Sequence, residues 1–243
     1  MPYIERTYRH HVRSDLIQFT IRLRESDLHI SADTLLRDEA ELALRQCRQE
    51  LESYLRRDSA FRTALSPIEL RSGAPELALA MAEAARSCGV GPMAAVAGAI
   101  AEQVGRSLMA HSREVIVENG GDIFLCLRRP RTVSVFAGAS PLSQRIGLAI
   151  KPEQTPLGVC TSSGTVGPSL SFGHADAVTV VAHSTALADA AATMLGNAVT
   201  GPESIQQALD EVAALPGILG ALVIIGEQVG AWGEIELIPF SRP

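Results

Sequence analysis

Aromatic and basic residues are both scarce in this sequence. Phe, Trp and Tyr make up 4% of its 243 residues, and 27 acidic residues outnumber 21 Lys and Arg, which gives a net charge of −6. Proteins that bind nucleic acid carry a basic surface, and those that bind single strands stack the bases on aromatic rings. The composition therefore argues against a nucleic-acid partner.

Paired cysteines and long apolar segments are also absent. The four cysteines stand far apart and form no Cys-x-x-Cys pair, at Cys47, Cys88, Cys126 and Cys160. This spacing argues against a structural zinc site or a disulfide framework and fits a reducing cytoplasm. The most apolar helical segment, 93–109, contains Glu102 and Arg106 and is shorter than the ~20 apolar residues of a membrane span. Residues 1–13 lack the apolar stretch of a secretory signal, so we expect a cytoplasmic protein outside the membrane.

Apolar residues are abundant enough to form a core. Hydrophobic residues make up 47% of the chain and charged residues 20%, which excludes a disordered chain. Alternating apolar residues predict a β-hairpin over 17–30, and helical spacing predicts helices over 35–55, 76–87 and 93–109. Further along the chain the spacing predicts strands at 115–117, 123–127, 132–136, 146–150, 177–182, 218–225 and 234–238, and helices at 186–195 and 202–212.

These elements indicate a single α+β domain. The last two strands are expected to pair as a hairpin that closes a sheet, and residues 158–173 form a small, hydroxyl-rich stretch with little pattern. Neither a repeat nor a linker divides the chain. We therefore expect residues 1–243 to form one domain of mostly antiparallel strands with helices packed on them.

A glycine-rich turn is the first of three polar segments in this apolar background. Residues 118–123 spell Glu-Asn-Gly-Gly-Asp-Ile between two predicted strands. Gly120 and Gly121 can adopt positive φ and let the backbone approach a ligand, while Asp122 supplies an acceptor. The alternative is an ordinary hairpin turn of the Asn-Gly type.

The second polar segment is rich in small hydroxyl residues. Cys160 is followed by Thr161, Ser162, Ser163 and Gly164, and His174 lies shortly after them. Successive small residues can direct several N–H groups at one phosphate. Cys160 or a serine could instead be a nucleophile with His174 as its base, although the Gly-x-Ser-x-Gly pattern of hydrolases is absent. An ordinary Gly/Ser loop is the third alternative.

The third polar segment places Asp189 and Thr193 on one face of a predicted helix, because they stand four residues apart. A carboxylate and a hydroxyl are ligands that Mg²⁺ accepts, often together with a phosphate. Asp189 could alternatively stabilise the start of its own helix.

Taken in order, these segments resemble the ApbE family of flavin transferases. That family has a glycine-initiated helix, a Gly-Gly-Asp-Ile turn, a Thr-Ser-Gly segment with a nearby His, and an Ala-Asp-Ala-x-Ala-Thr helix. The counterparts here are 89–98, 119–123, 161–164 with His174, and 188–193. The sequence of residues 159–177 is similar to that of a group of shorter, uncharacterised ApbE-like proteins. The resemblance implies a single ApbE-like, T-fold-like domain.

The resemblance also implies an activity and a site. ApbE enzymes split FAD with Mg²⁺ and attach the FMN half to a Thr or Ser of a target flavoprotein. By this resemblance Asp189 and Thr193 bind the metal together with a carbonyl from the turn that starts at Gly91. Asp189 and His174 are then the catalytic residues, with His174 beside the pyrophosphate or flavin. Amides of 161–164 would hold phosphate, and the turn at 120–122 would bind the nucleotide.

One departure from the ApbE pattern leaves several functions open. ApbE enzymes carry a lysine in the turn that corresponds to 91–95, and this sequence has none there. The expectation is a Mg²⁺-dependent FAD-binding protein that acts as an FMN transferase or an FAD pyrophosphatase. The alternatives are a non-catalytic nucleotide-binding protein and a thiol-based role in sulfur assimilation that uses Cys160.

Overall fold

The computed structural model describes residues 15–164 and 173–240, which form two antiparallel sheets and a layer of helices. The strands are β1 (Ile17–Leu23), β2 (Ser26–Ala32), β3 (Val115–Asn119), β4 (Asp122–Cys126), β5 (Arg131–Ser134), β6 (Ile146–Ile150), β7 (Leu157–Ser162), β8 (Ala177–Ala182), β9 (Ile218–Ile225), β10 (Gln228–Gly233) and β11 (Glu236–Pro239). The helices are α1 (Arg37–Arg57), α2 (Ser59–Thr63), α3 (Glu76–Cys88), α4 (Val96–Leu108), α5 (Thr185–Ala198) and α6 (Ile205–Ala213).

Eight strands of the described part form the large sheet, in the order β1-β2-β3-β4-β7-β8-β9-β10. The small sheet has the order β11-β6-β5, and all strand pairs in both sheets are antiparallel. The predicted fold class, α+β with mostly antiparallel strands and packed helices, is confirmed.

The large sheet is covered on both faces. Phe124 packs into a core shared with the helices, whereas the next residue, Leu125, packs into a second core that includes Leu148 of the small sheet. Successive side chains of a strand point to opposite faces, so each central strand contributes to both cores. The large sheet is therefore a middle layer between the helices and the small sheet.

Helices α4 and α5 pack closely because the contact residues are small. A Cβ added to Gly98 would lie 2.4 Å from the carbonyl oxygen of Thr185 in α5. On the side of the sheet, a Cβ added to Gly105 would lie 2.2 Å from the Phe124 ring of β4. The start of α5 is stabilised by Glu102 of α4, whose carboxylate accepts the Thr185 N–H at 2.7 Å. The two helices are thus fixed to each other at the place where the site forms.

The predicted C-terminal hairpin is wrong. β9 pairs with β10 across a turn at Gly226, whereas β11 pairs with β6 in the other sheet. β10 contains two glycines and only one β-branched residue, Val229, so its sequence has little strand character. The low-propensity segment still forms an edge strand because β9 offers it a free side.

The stretch of small residues at 158–173, for which the sequence predicts no strand, begins with one in the structure. Residues 157–162 form β7, a central strand whose first four residues are all buried. A strand buried on both faces loses the alternation that reveals strands in a sequence. Residues 165–172 of that stretch lie outside the described residues.

Each helix in the described ranges is by itself too short or too polar to cross a bilayer, and only the sharply bent pair Glu76–Cys88 and Pro92–Leu108 has the combined length and composition.

Candidate functional site

The Gly-Gly segment forms the tight turn between β3 and β4. Gly120 and Gly121 have φ of 76° and 108°, and Asn119 pairs with Asp122 across the turn. Positive φ at both central positions is the geometry of two-residue hairpins and favours glycine. The Glu118 carboxylate accepts the Gly121 N–H at 3.0 Å. The segment is therefore a hairpin turn that also leaves Asp122 buried at its end.

Asp189 is fixed by the first turn of the neighbouring helix. Its Oδ2 accepts the Gly98 N–H at 2.8 Å, and the Ala97 N–H donates to the same carboxylate. The start of its own helix, α5, is instead capped by Ser184, which accepts the Leu187 N–H. Asp189 thus accepts the N–H groups at the start of α4, which have no partner within that helix. It does not cap the start of its own helix, the structural role that the sequence left open.

Asp122 and Asp189 form a carboxylate pair assembled from distant parts of the chain. Burial, and after it the negative charge of Asp122, raises the pKa of Asp189 well above its usual range, and the N–H donors of α4 oppose that rise. Asp122 lies opposite Cys160 in the β4–β7 register. The arrangement concentrates negative charge in an enclosed place, which a cation or a proton would stabilise.

The Cys160 thiol is buried within this arrangement. Its side chain is fully enclosed, and Sγ donates to the Thr185 carbonyl at 3.4 Å. Burial, together with the charges of Asp122 and Asp189, raises the pKa of the Cys160 thiol well above its usual range. A thiol in this state is a poor nucleophile.

Thr161 is bonded to the β3–β4 turn and to β8, and the predicted phosphate-binding segment continues from it. The Thr161 N–H donates to the Gly121 carbonyl at 3.3 Å, and the Thr161 and Thr179 hydroxyls lie 2.9 Å apart. The Gly164 N–H donates to the Ala175 carbonyl at 3.0 Å. Two of the amides predicted to hold phosphate, those of Thr161 and Gly164, are thus already bonded within the protein. Ser162 and Ser163 lie between them.

His174 lies at the opposite end of α5 from Asp189. Its side chain is exposed. Its backbone N–H donates to the carbonyl of Val199, the residue that follows α5. Ten residues of α-helix separate Asp189 from Val199, which is about 15 Å at 1.5 Å per residue. The half-buried Thr193 lies one turn after Asp189. The structure therefore brings Thr193 near the carboxylate pair and leaves His174 at a distance.

The turn that starts at Gly91 packs closely against Ala64. A Cβ at Gly91 would lie 1.9 Å from the Ala64 carbonyl oxygen, and the Gly91 carbonyl accepts the Ala94 N–H at 3.0 Å. The backbone groups next to Asp189 belong to Ala97 and Gly98 instead, and the Ala97 carbonyl accepts the Asn119 side-chain amide at 3.1 Å. The carbonyl from the turn that starts at Gly91 stays a prediction as a metal ligand.

A cleft of about 660 Å³ opens at the β3–β4 turn. One end is polar and contains Asn119, Gly120 and Asp122. The rest of its wall combines apolar side chains with charged ones, namely Leu51, Leu55, Met93, Val96, Ile100, Arg24, Glu25, Arg48, Glu52, Arg56 and Arg62.

Sequence reasoning missed these arginines. Arg48, Glu52 and Arg56 follow one another at intervals of four on one face of α1, and this spacing is the signal that could have found the two α1 arginines. Arg24 and Arg62 lie outside α1, and no spacing rule connects them with it. A cleft with an apolar wall and a few placed polar groups is typical of a small-molecule site.

The oxygen ligands available for a metal ion are few. Within residues 15–164 and 173–240 no group of three His, Cys, Asp or Glu side chains could hold a metal ion. Mg²⁺ needs fewer protein ligands, because it keeps several waters and is completed by substrate phosphates. Asp189 with Thr193, and the buried charge of Asp122 beside them, fit such a partial site.

Comparison with known proteins identifies the family. The family model described as "AbpE bacteria" matches residues 9–231. The chain belongs to this family. A UPF0280 protein of Methanosarcina barkeri is 45% identical over 220 residues, which cover 89% of this chain and 87% of that protein.

Solved structures show the same fold as this AbpE family member. The flavin transferase ApbE of Vibrio cholerae, as its H257G mutant, gives a TM-score of 0.58 at 14% identity and covers 90% of this chain and 97% of its own. The flavinyl transferase ApbE of Pseudomonas stutzeri gives 0.59 at 15% identity, with 90% and 94% covered. The resemblance to ApbE proteins is therefore confirmed for family and fold.

Proposed function

We propose that the chain binds FAD in the cleft at the β3–β4 turn and acts on it with Mg²⁺, as an FMN transferase or an FAD pyrophosphatase. The observation that carries this proposal is the carboxylate pair, Asp122 and Asp189, beside a cleft with an apolar wall. The family and the fold of flavin transferases support it. If the chain transfers FMN, its partner is a target flavoprotein, and we keep a cytoplasmic location as a prediction.

The residues around Asp189 fit a divalent cation. Oxygen ligands on one helix face suit Mg²⁺, and the raised pKa of Asp189 shows that its charge lacks compensation. Asp189 and Thr193 would hold the ion. When bound, Mg²⁺ would offset the negative charge of the pyrophosphate as its bond breaks.

The protein groups have separate tasks in this proposal. The N–H groups of Ala97 and Gly98 orient the Asp189 carboxylate. Because its pKa is raised, Asp189 can also keep a proton when no cation is present. The leucines and Ile100 of the cleft exclude water from a bound ring system. His174 is kept as the proposed base for an attacking hydroxyl, a role that requires the reacting phosphate to lie toward the far end of α5 from Asp189.

A nucleotide-binding protein without catalysis is the second candidate. The observation that favours it is the placement of His174 at the far end of α5 from Asp189. The absence of a lysine in 91–98 points the same way. The thiol-based alternative is disfavoured, because Cys160 is fully buried and its thiol pKa is raised.

Calorimetric titration with FAD, with and without Mg²⁺, tests the proposal, and chromatography of the mixture detects released AMP. We expect wild-type protein to bind FAD more tightly with Mg²⁺, and Asp189→Asn to lose that gain. Asn can still accept the Gly98 N–H, so the packing is preserved. Asp210→Asn, an exposed change on α6, serves as the control. Binding without AMP release rejects the pyrophosphatase. Because transfer releases AMP only when a Thr or Ser hydroxyl of the target flavoprotein accepts the FMN, that result leaves the transferase and the second candidate. No binding under either condition rejects the proposal and the second candidate.

A further inference from the structure

The cleft carries positive charge on a protein that is acidic overall. Four arginines line it, against three carboxylates, although the whole chain has a net charge of −6. A cleft whose charge is opposite to that of the molecule concentrates ligands of the opposite sign. The charged wall therefore indicates an anionic ligand.

Two of the four arginines are already neutralised. Arg24 pairs with Glu52 at 2.7 Å, and Arg48 pairs with both Glu52 and Glu25. Arg48 also donates to Ser26 at 2.7 Å. These two arginines stabilise the contact between the β1–β2 turn and α1.

The other two arginines lack an acidic partner among the described residues. Arg56 donates only to the Ser53 hydroxyl, at 2.9 Å, and Arg62 on α2 has no ion pair in the described part of the chain. Both side chains are exposed and both line the same cleft. The positive charge of Arg56 interacts favourably with the C-terminal end of α1. Arg62 lies on another helix, α2, and both side chains line the same cleft.

We propose that Arg56 and Arg62 bind a phosphate group of the nucleotide directly, without a metal ion. Guanidinium groups match phosphate oxygens in shape and charge. The Thr161 and Gly164 amides, two of the donors predicted to hold phosphate, are already bonded within the protein, whereas Arg56 and Arg62 have no acidic partner among the described residues. This inference rests on the proposed nucleotide-binding function, and it makes the two arginines determinants of ligand specificity.

Titration with ADP, adenosine and inorganic pyrophosphate in the presence of a chelator tests the inference. We expect wild-type protein to bind ADP and pyrophosphate without Mg²⁺, more tightly than adenosine, and with an affinity that falls as salt is added. The Arg56→Gln/Arg62→Gln variant should bind both at least tenfold more weakly. Its melting temperature should lie close to that of the wild type, because neither side chain forms an ion pair in the described structure and the interaction of the exposed Arg56 with the end of α1 is a small contribution.

Arg45→Gln is the matched control, since Arg45 is an exposed arginine on α1 that does not line the cleft. Equal ADP binding by the double variant and the wild type, or ADP binding only with Mg²⁺, overturns the inference and leaves the proposed function intact. ADP and pyrophosphate binding that the double variant loses supports the inference, whereas the absence of both FAD and ADP binding rejects the proposed function and the inference with it.

Discussion

At the scale of single residues, Asp189 combines a structural contact with an unfavourable charge. Its carboxylate satisfies the first N–H groups of α4, yet it lies beside Asp122 in a place that water reaches poorly. The raised pKa of Asp189 shows that the unfavourable contribution dominates. A carboxyl group whose pKa is raised on folding makes the folded state less stable when it is ionised.

Asp189→Asn should therefore raise stability at neutral pH. In the unfolded chain Asp189 loses its proton near the usual Asp pKa of 3.8, whereas in the folded chain it does so at a higher pH. Wild-type stability therefore falls as pH rises from about 4 toward the raised pKa. Asn keeps an acceptor for Gly98 and carries no charge. We expect a gain on the order of 1 kcal/mol at pH 7, or about 2–4 °C in Tm, that disappears below pH 4. Thermal unfolding of both proteins from pH 3.5 to 8 measures this, and an Asn variant less stable at pH 7 would contradict it.

At the scale of elements, the pair α4–α5 positions the site. Each helix supplies a carboxylate to the start of the other, because Asp189 accepts from Gly98 and Glu102 accepts from Thr185. Such reciprocal capping requires close contact, and Gly98 permits it by having no side chain. The orientation of the Asp189 carboxylate, the proposed metal ligand, therefore depends on the spacing between two helices.

Gly98→Ala should disrupt this spacing. The new Cβ would lie 2.8 Å from the Asp189 Cβ and 2.4 Å from the Thr185 oxygen. Overpacking of this kind costs about 1–3 kcal/mol, which exceeds the gain of about 1 kcal/mol from the better helix propensity of Ala. Urea unfolding measures the loss, and FAD affinity with Mg²⁺ should fall as well. Ser107→Ala, an exposed change on α4, should alter stability by less than about 0.5 kcal/mol and leave FAD affinity unchanged.

At the scale of the whole molecule, the large sheet separates the site from the small sheet. The carboxylate pair lies on the side of the helices, whereas Leu148 is fully buried in the core on the opposite side. Changes in that second core should affect stability without changing the site.

Leu148→Ala should lower the free energy of unfolding by about 2–5 kcal/mol, because it leaves a cavity in a buried core. FAD affinity, measured well below the melting temperature, should stay within twofold of the wild type. Leu237, the register partner of Leu148 in β11, is 37% exposed, and its change to Ala should cost much less. A loss of FAD affinity in Leu148→Ala would show that the two sides of the sheet are coupled.

Local chemistry made part of this structure predictable from the sequence. The Gly120–Gly121 turn and helices α1, α3 and α5 follow from glycine and from apolar spacing. β7 was missed because it is buried on both faces, and the C-terminal hairpin was wrong because β10 is poor in β-branched residues. The proximity of Asp122 to Asp189 came from the family resemblance, since no spacing rule connects them. Arg56 and Arg62 were missed because two helices must fold before they line one cleft.

The hydrogen bonds from α4 to Asp189 also affect how active relatives are to be recognised. A chain that lost the chemistry would still need an oxygen acceptor at this position to keep its two helices together, so an Asp or an Asn there can persist after activity has gone. Thr193 forms no hydrogen bond within the described residues that would preserve it in the same way. The threonine is therefore a better marker of a working metal site than the aspartate beside it.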